Sequence, residues 1–499
     1  MHRYNGQAVP RTFTTLLIFA VVLSCAALWL AACATPLGPG YIVEKQEIQI
    51  SFRPEPAPMI HVTAKYAVKN TGNRELSLLE ARLPGRRFHP SALAISWDGA
   101  ALSPVVSAEN PRDLQLRFPQ SWHVGASHSL HFSYDISSTD PSEGALGFSA
   151  DAFYLPAGSW TPELPQASGV FGFGGVPPKK WNLVVGVPQE FLVHASGGKE
   201  RRAGKKAELQ FQFPQTADDL FPFVVAGRYR ETRQDLPPHQ MVHFWSRAAA
   251  NSAGSQPAGD SLSRTLAAYE SLLGARSKSG SPLWIVECPV ATACFSGRGS
   301  GYSMFLDGPD AELSAEMISN DTVLIDPRSS HGNSQALVAP ALAQGWLGYG
   351  KNPGFYEQQQ PMSALPAFTA ALAREITSGP QVREEIIRRA LSRIPAPATR
   401  ESNNDPGVSR AKSFLLFYAL RDRVGSDAFQ KALQHMLVAR RGRGFDVTDL
   451  ISAIEQESHQ PVGPFVRLWL KRPGIPDDFR AKYSPAAASQ TSLAQEATQ

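Results

Sequence analysis

The chain has 499 residues, more than one hydrophobic core of ordinary size organises, so two or more domains are expected. Hydrophobic residues make up 43% and charged residues only 18%, a balance that excludes a largely disordered chain. The formal net charge is +4 with no dense basic run, which excludes the basic, aromatic-studded face that nucleic acid demands.

The chain opens with an export address. His2, Arg3 and Arg11 make a positive start, and an apolar run from Leu16 through Leu23 continues to Ala32. That is the layout of a signal peptide. The run ends in Leu30-Ala31-Ala32-Cys33, which resembles the bacterial lipoprotein box, where the cysteine is lipidated and becomes the new N-terminus. The resemblance implies a signal peptide over residues 1–33 and attachment to the membrane through a lipid on Cys33. It also implies a place in the cell envelope, on the periplasmic face. Ala34, which is not Asp, leans by the same resemblance towards the outer membrane. An uncleaved membrane anchor is the alternative, since the run is nearly long enough to span. Val22-Leu23-Ser24-Cys25 is a poorer second box.

Two cysteines lie beyond the leader, Cys288 and Cys294, in CPVATAC. An exported chain meets an oxidising compartment, so they are either a short-loop disulfide or two buried thiols. The pair alone does not make a structural zinc site, which takes four ligands.

From residue 41 to about 235 the pattern is strand after strand. Ile60, Val62, Ala64, Tyr66 and Val68 alternate with polar partners before the turn Asn70-Thr71-Gly72-Asn73. Leu114–Phe118 and Leu130–Ile136 alternate as well, and further strands are read at Trp181–Val185 and Phe221–Val225. Period two with regular turns predicts an antiparallel β-sandwich with one wet face. The pattern changes after Pro237-Pro238. A Gly/Ser/Pro loop precedes a helix capped by Asp260 or Ser261, with Leu262, Leu266, Tyr269 and Leu273 on one face. Short strands at Leu283–Val286 and Thr322–Ile325 follow, and from Ser334 the chain reads as mostly helical. Phe414–Val424 is an apolar helix closed by Gly425, and Ser426 is expected to cap the next. Residues 484–499 are low-complexity and expected to be disordered. The fold class is therefore a multidomain α+β chain. A β-sandwich over 41–235 is followed by a mixed α/β domain over 236–480 that becomes helical towards its C-terminal end.

That order, together with several local matches, resembles the gluzincin zinc aminopeptidases, the membrane alanyl aminopeptidase family. Trp160-Thr161-Pro162 looks like the family's Trp-Tyr-Pro, and Phe223–Tyr229 looks like the strand that ends its sandwich. Leu416–Gly425 followed by Asp427-Ala428-Phe429 looks like its leucine-rich helix and the acidic-x-Phe run. Phe465–Leu470 with Pro473-Gly474-Ile475-Pro476 looks like its closing Trp-Leu and Gly-x-Pro signature. The resemblance covers roughly residues 41–480 and implies a thermolysin-like second domain.

Zinc aminopeptidases need His-Glu-x-x-His on one helix. Two imidazoles four residues apart grip the metal and the intervening Glu is the general base. In the family the helix continues x-Trp-x-Gly, here supplied by Trp346 and Gly348. Anchored there, the first His position is Pro340, the Glu position is Ala341 and the second His position is Gln344. Pro340 is expected to start the helix or to kink it, because proline is tolerated only in a first turn. The third ligand, a Glu in the family, falls on Ser363 or, with a short insertion, on Pro366-Ala367-Phe368 in place of Glu-Gly-Phe. Glu357 falls too early. The family's Tyr-x-Lys-Gly, whose tyrosine stabilises an oxyanion, is here Arg410-Ala411-Lys412-Ser413. The loop that grips a substrate amine through Glu corresponds to Gly297–Asp307, which has no Glu.

Other chemistry in the sequence is thin. His239 and His243 are four apart but on a strand, which separates the imidazoles by about 13 Å. Gly172–Gly175 lacks the strand-to-helix context of a phosphate loop. Ser300, in Gly-Arg-Gly-Ser-Gly, is not in a nucleophile elbow, and His331 alone does not hold zinc. The expectation is an exported, lipid-anchored pseudo-peptidase that keeps the aminopeptidase-like fold, has lost zinc, needs no cofactor, and binds a peptide or a partner protein. A hydrolase or metallopeptidase with relocated catalytic groups is the alternative.

Overall fold

The computed structural model describes residues 40–84, 90–137, 148–156, 160–164, 180–195, 199–203, 208–213, 223–236, 240–247, 259–276, 282–289, 315–319, 321–325, 334–348, 361–399, 401–440 and 445–483. The leader with Cys33 and the tail 484–499 lie outside them.

The N-terminal half is built from strands β1 (Tyr41–Arg53), β2 (Met59–Asn70), β3 (Leu76–Arg82), β4 (Pro90–Trp97), β5 (Ala100–Ala101), β6 (Val105–Val106), β7 (Asp113–Trp122), β8 (Ser127–Ser137), β9 (Phe148–Ser149), β10 (Ala152–Leu155), β11 (Trp181–Gly186), β12 (Leu192–Ala195), β13 (Lys199–Ala203), β14 (Glu208–Phe213) and β15 (Val224–Gly227). They form an eight-stranded sheet, β13-β14-β11-β1-β2-β8-β4-β5, a three-stranded sheet, β3-β7-β6, and a four-stranded sheet, β12-β15-β10-β9. All pairs are antiparallel except β1 with β11, which run parallel.

Alternation decides which side is dry. On β2 the residues Ile60, Val62, Ala64, Tyr66 and Val68 are buried while their neighbours are more accessible. On β8, Leu130, Phe132, Tyr134 and Ile136 do the same. The register sets Ala64 opposite Phe132, a small side chain facing a large one, and Ile60 opposite Ile136. Burying each of the larger side chains contributes about 1.5–3 kcal/mol. The Trp160-Thr161-Pro162 segment is fully buried beneath this sheet. Tyr134 donates its hydroxyl to the Trp160 carbonyl and Tyr66 to the Pro162 carbonyl, each at 2.6 Å.

The smaller sheets close the sandwich at its two ends. Tyr41, at the start of β1, packs on Trp122 of β7 with ring centroids 5.9 Å apart. Phe52, near the end of β1, packs on Phe153 of β10 at 5.0 Å and on Phe191, which precedes β12, at 5.6 Å.

The second half begins with β16 (Tyr229–Leu236), β17 (Gln240–Arg247), β18 (Leu283–Glu287), β19 (Ala315–Ser319) and β20 (Thr322–Ile325), in the order β16-β17-β18-β20-β19. This sheet is mixed, with β17-β18 and β18-β20 parallel and both edges antiparallel. It takes in Tyr229, ahead of the boundary at residue 235. Helices follow: α1 (Gly259–Leu273), α2 (Ser334–Trp346), α3 (Leu365–Ser378), α4 (Gln381–Leu391), α5 (Pro406–Val424), α6 (Ser426–Ala439), α7 (Val447–Ser458), α8 (Gly463–Lys471) and α9 (Asp477–Lys482). Asp405 caps α5, its carboxylate accepting the Gly407 and Val408 N–H groups at 2.7 and 2.9 Å. Ser426, expected from its residue type to cap α6, does not. The N-cap is instead Gly425, which leaves the preceding helix at φ 87°, and Ser426 is the first helical residue. Its Oγ accepts a hydrogen bond from Arg421 Nε at 3.1 Å.

The two halves meet across β10. Phe153 and Leu155 face the sandwich core, while Ala152 and Tyr154 pack with Tyr229, Trp245, Val286 and Leu324 of the second sheet. Gly227, paired with Ala152, has no room for a side chain, since a Cβ there would lie 2.4 Å from that of Ala152.

Candidate functional site

α2 is where the resemblance puts a metal. Its described side chains are apolar nearly all round: Val338, Ala339, Ala341, Leu342 and Ala343 are buried, and Gln344 is half-buried. A helix without a polar face belongs in a core. Pro340 does not start it. The helix begins at Ser334 and holds Pro340 in its interior, so the expected start at Pro340 is corrected. Proline has no N–H for the carbonyl four residues earlier, a defect worth about 3 kcal/mol or more. Burial of the surrounding side chains offsets it.

The retained end of the motif holds α2 in place. Trp346 donates its indole N–H to the Gly274 carbonyl at 3.0 Å, just past α1, and its ring lies 5.6 Å from that of Tyr269. Tyr269 in turn donates its hydroxyl to the Ala339 carbonyl at 2.6 Å. Burial pushes that phenol well above its usual range, so it stays a donor.

Pro340, Ala341 and Gln344 offer a saturated ring, a methyl group and an amide, none of them an imidazole or a carboxylate. Ser363 lies in a short 3₁₀ turn over Met362–Ala364 and is half-buried. Pro366 and Ala367 are buried in the first turn of α3. Phe368 is a hub of the helical core, with ring centroids 5.4, 4.9 and 5.6 Å from Phe417, Tyr418 and Phe429. Among the described residues no group of three or more His, Cys, Asp or Glu side chains is placed to hold a metal ion.

Arg410 and Lys412 sit one turn into α5. Arg410 is half-buried, and its Nε is buried with no hydrogen-bond partner among the described residues. Lys412 is buried and donates to the Leu470 carbonyl at 3.1 Å and to the Arg472 carbonyl. Its own carbonyl accepts the Trp469 indole N–H at 3.1 Å. Lys412 therefore ties α5 to the C-terminal end of α8, satisfying carbonyls that a helix end leaves open. Burial, with Arg472 close by, lowers its pKa to about 8.

Several residues singled out in the sequence lie outside the described set: Cys33, Gly172–Gly175, His239, Cys294, the Gly297–Asp307 stretch with Ser300, His331 and Glu357. Cys288 is buried and disulfide-bonded, while its expected partner Cys294 is among those outside.

One arrangement was not legible in the sequence. His194 of β12, Trp284 of β18 and His243 of β17 stack as three rings, with Trp284 in the middle at 4.2 and 4.1 Å from the two imidazoles. His243 Nδ1 is 2.6 Å from Glu231 and His194 Nε2 is 2.9 Å from the Thr322 hydroxyl. Burial lowers the His194 pKa to about 4; Asp321 opposes the shift and His243 adds to it. Glu231 is lowered too, because burial, which raises it, is outweighed by Arg233, His243 and Trp245. The stack bridges the sandwich and the second sheet and is read as structural.

No family model matches this chain, and no curated protein does. Solved structures do. An M1 zinc metallopeptidase from Deinococcus radiodurans aligns at TM-score 0.57 with 17% identity, covering 88% of this chain and 97% of that one. A variant of the M1 zinc metallopeptidase from the same organism, bound to a Tyr-Ser-Ala substrate, aligns at TM-score 0.57 and 17% identity over 88% and 96%. A two-domain M1 zinc metallopeptidase variant bound to L-arginine gives 0.56 and 18%, again over 88% and 96%. The chain thus has the two-domain aminopeptidase architecture, a β-sheet N-terminal domain followed by a mixed and then helical one.

Proposed function

We propose that this protein is an exported, lipid-anchored pseudo-peptidase that keeps the aminopeptidase-like scaffold and binds a peptide or partner protein without metal catalysis. One observation carries the reading. α2, which the resemblance aligns with a metal-binding helix, is filled with core side chains, and the three positions it aligns with the motif are Pro340, Ala341 and Gln344. Zinc requires nitrogen, sulfur or carboxylate donors, and the candidate third positions Ser363 and Pro366 supply neither imidazole nor carboxylate. The residues present do not fit the metal. The retained Trp346 and Lys412 are accounted for by what they hold together. Arg410, half-buried at the position the resemblance gives the oxyanion tyrosine, keeps a guanidinium of the kind that binds a carboxylate.

Fold does not fix function, so the reading is tested at the site. The protein without residues 1–33 is incubated with excess zinc, desalted and assayed for metal, for release of amino acids from a panel of short peptides, and for binding of those peptides. Substoichiometric metal, no turnover and measurable binding are expected. Tightly held stoichiometric zinc, or turnover of any peptide, overturns the reading and favours relocated catalytic groups.

A further inference from the structure

The end of the sandwich where β1 begins is a tight assembly of three chain segments. The Gly40 carbonyl accepts the N–H groups of Thr71 and Gly72 at 2.9 and 2.7 Å, and the Asn70 carbonyl accepts that of Gly125 at 2.8 Å. The Asn70 side chain adds a donor bond to the Trp122 carbonyl at 2.9 Å. At the tip of the β7–β8 turn stands Val124, 52% exposed, beside Gly125 at φ 80°. Charge does not dominate the tip: Arg74 and Glu75 offset each other, and Glu75 is 2.5 Å from His123.

The second domain joins the sandwich at the other end. Phe52, eleven steps along β1 from Tyr41, meets the sheet that contains β10, and the other face of β10 packs on the second domain. That spacing is about 37 Å along the strand. Cys33 is separated from the Tyr41 end by the seven residues 34–40, uncharged and with two prolines and two glycines. Fully extended, they reach about 25 Å.

We infer that the face formed by Gly40, the turn after Asn70 and the turn bearing Val124 is turned towards a lipid surface, so that the sandwich holds the second domain away from the membrane. The inference rests on the lipid-anchored reading of Cys33. The decisive comparison is of lengths. A tether of about 25 Å cannot let a strand of about 37 Å stand upright with its far end on the lipid and its near end above. Upright inversion is excluded, and Val124 is the exposed large apolar side chain on the turn beside the tethered end.

The test uses the full chain, matured in cells and reconstituted into phosphatidylcholine vesicles that carry a headgroup quencher. Val124→Cys, Val438→Cys and Leu468→Cys are labelled separately with an environment-sensitive fluorophore. Val438 and Leu468 are both 63% exposed, on α6 and α8, and serve as distal reporters. Quenching several-fold stronger at position 124 than at 438 and 468 is expected. Equal quenching, or stronger quenching at 438 or 468 on a chain whose N-terminal fragment carries the lipid by mass, overturns the orientation alone. A fragment without lipid on Cys33 overturns the anchor and the orientation together.

Discussion

Acidification should weaken the junction between the two domains through one imidazole. His194 is half-buried, with its ring against Trp284, Phe223 and Trp245 at 4.2, 5.5 and 6.0 Å. Its pKa falls from the ordinary 6.5 to about 4, chiefly by burial. Between those values the unfolded chain takes a proton and the folded chain refuses it. The unfolding free energy therefore decreases as pH falls from about 6.5 to about 4 and levels off below, whereas above about 6.5 it is independent of this group. At about 1.4 kcal/mol per unit the full difference is about 3.5 kcal/mol, and partial exposure reduces it to about 2. The assay is urea unfolding followed by tryptophan fluorescence, run at neutral pH and near pH 4, for the parent and for His194→Phe. Phenylalanine keeps the stacking and cannot titrate, although it gives up the Thr322 bond. The parent should lose about 2 kcal/mol more than the variant on acidification. Parallel losses would refute the reasoning, since carboxylates such as Glu231 and Asp422 titrate alike in both.

Trp346→Ala should destabilise the second domain by on the order of 3 kcal/mol, because it removes both the ring packing on Tyr269 and the donor to Gly274; thermal unfolding measures this, and a change below about 1 kcal/mol would deny Trp346 its bracing role. Lys412→Ala should cost about 2–3 kcal/mol by leaving the Leu470 and Arg472 carbonyls without their ammonium donor. Loss of hydrogen-exchange protection confined to α5 and α8 would locate the effect, and unchanged protection there would contradict it. Pro340→His combined with Gln344→His sets two imidazoles four residues apart on α2. With no third protein ligand among the described residues, zinc should wash out on desalting, and a tightly retained equivalent would reveal a donor outside them.

Much of the architecture is written in local patterns. The alternation in β2 and β8 predicts their buried faces residue by residue, because period two is a property of the strand itself. α5, with Gly425 closing it, is equally plain, although its start at Pro406 is set by the Asp405 cap upstream of the apolar run. Failures occur where distant residues decide. Local rules begin or kink a helix at Pro340, and α2 runs through it from Ser334 because Val338, Leu342 and their neighbours are buried. Lys412 reads as a leftover of a catalytic motif until α8 is brought against it from 58 residues further along. The His194–Trp284–His243 stack assembles from three separate strands, and nothing near any one of the three announces the other two.

β10 is four residues long, yet both its faces are dry: Phe153 and Leu155 serve one core, Ala152 and Tyr154 the other. A strand shared in this way couples the two cores through its backbone. Either half expressed by itself would present a bare apolar strip to water and invite aggregation. Dissecting the chain for study should therefore respect the strand instead of cutting beside it.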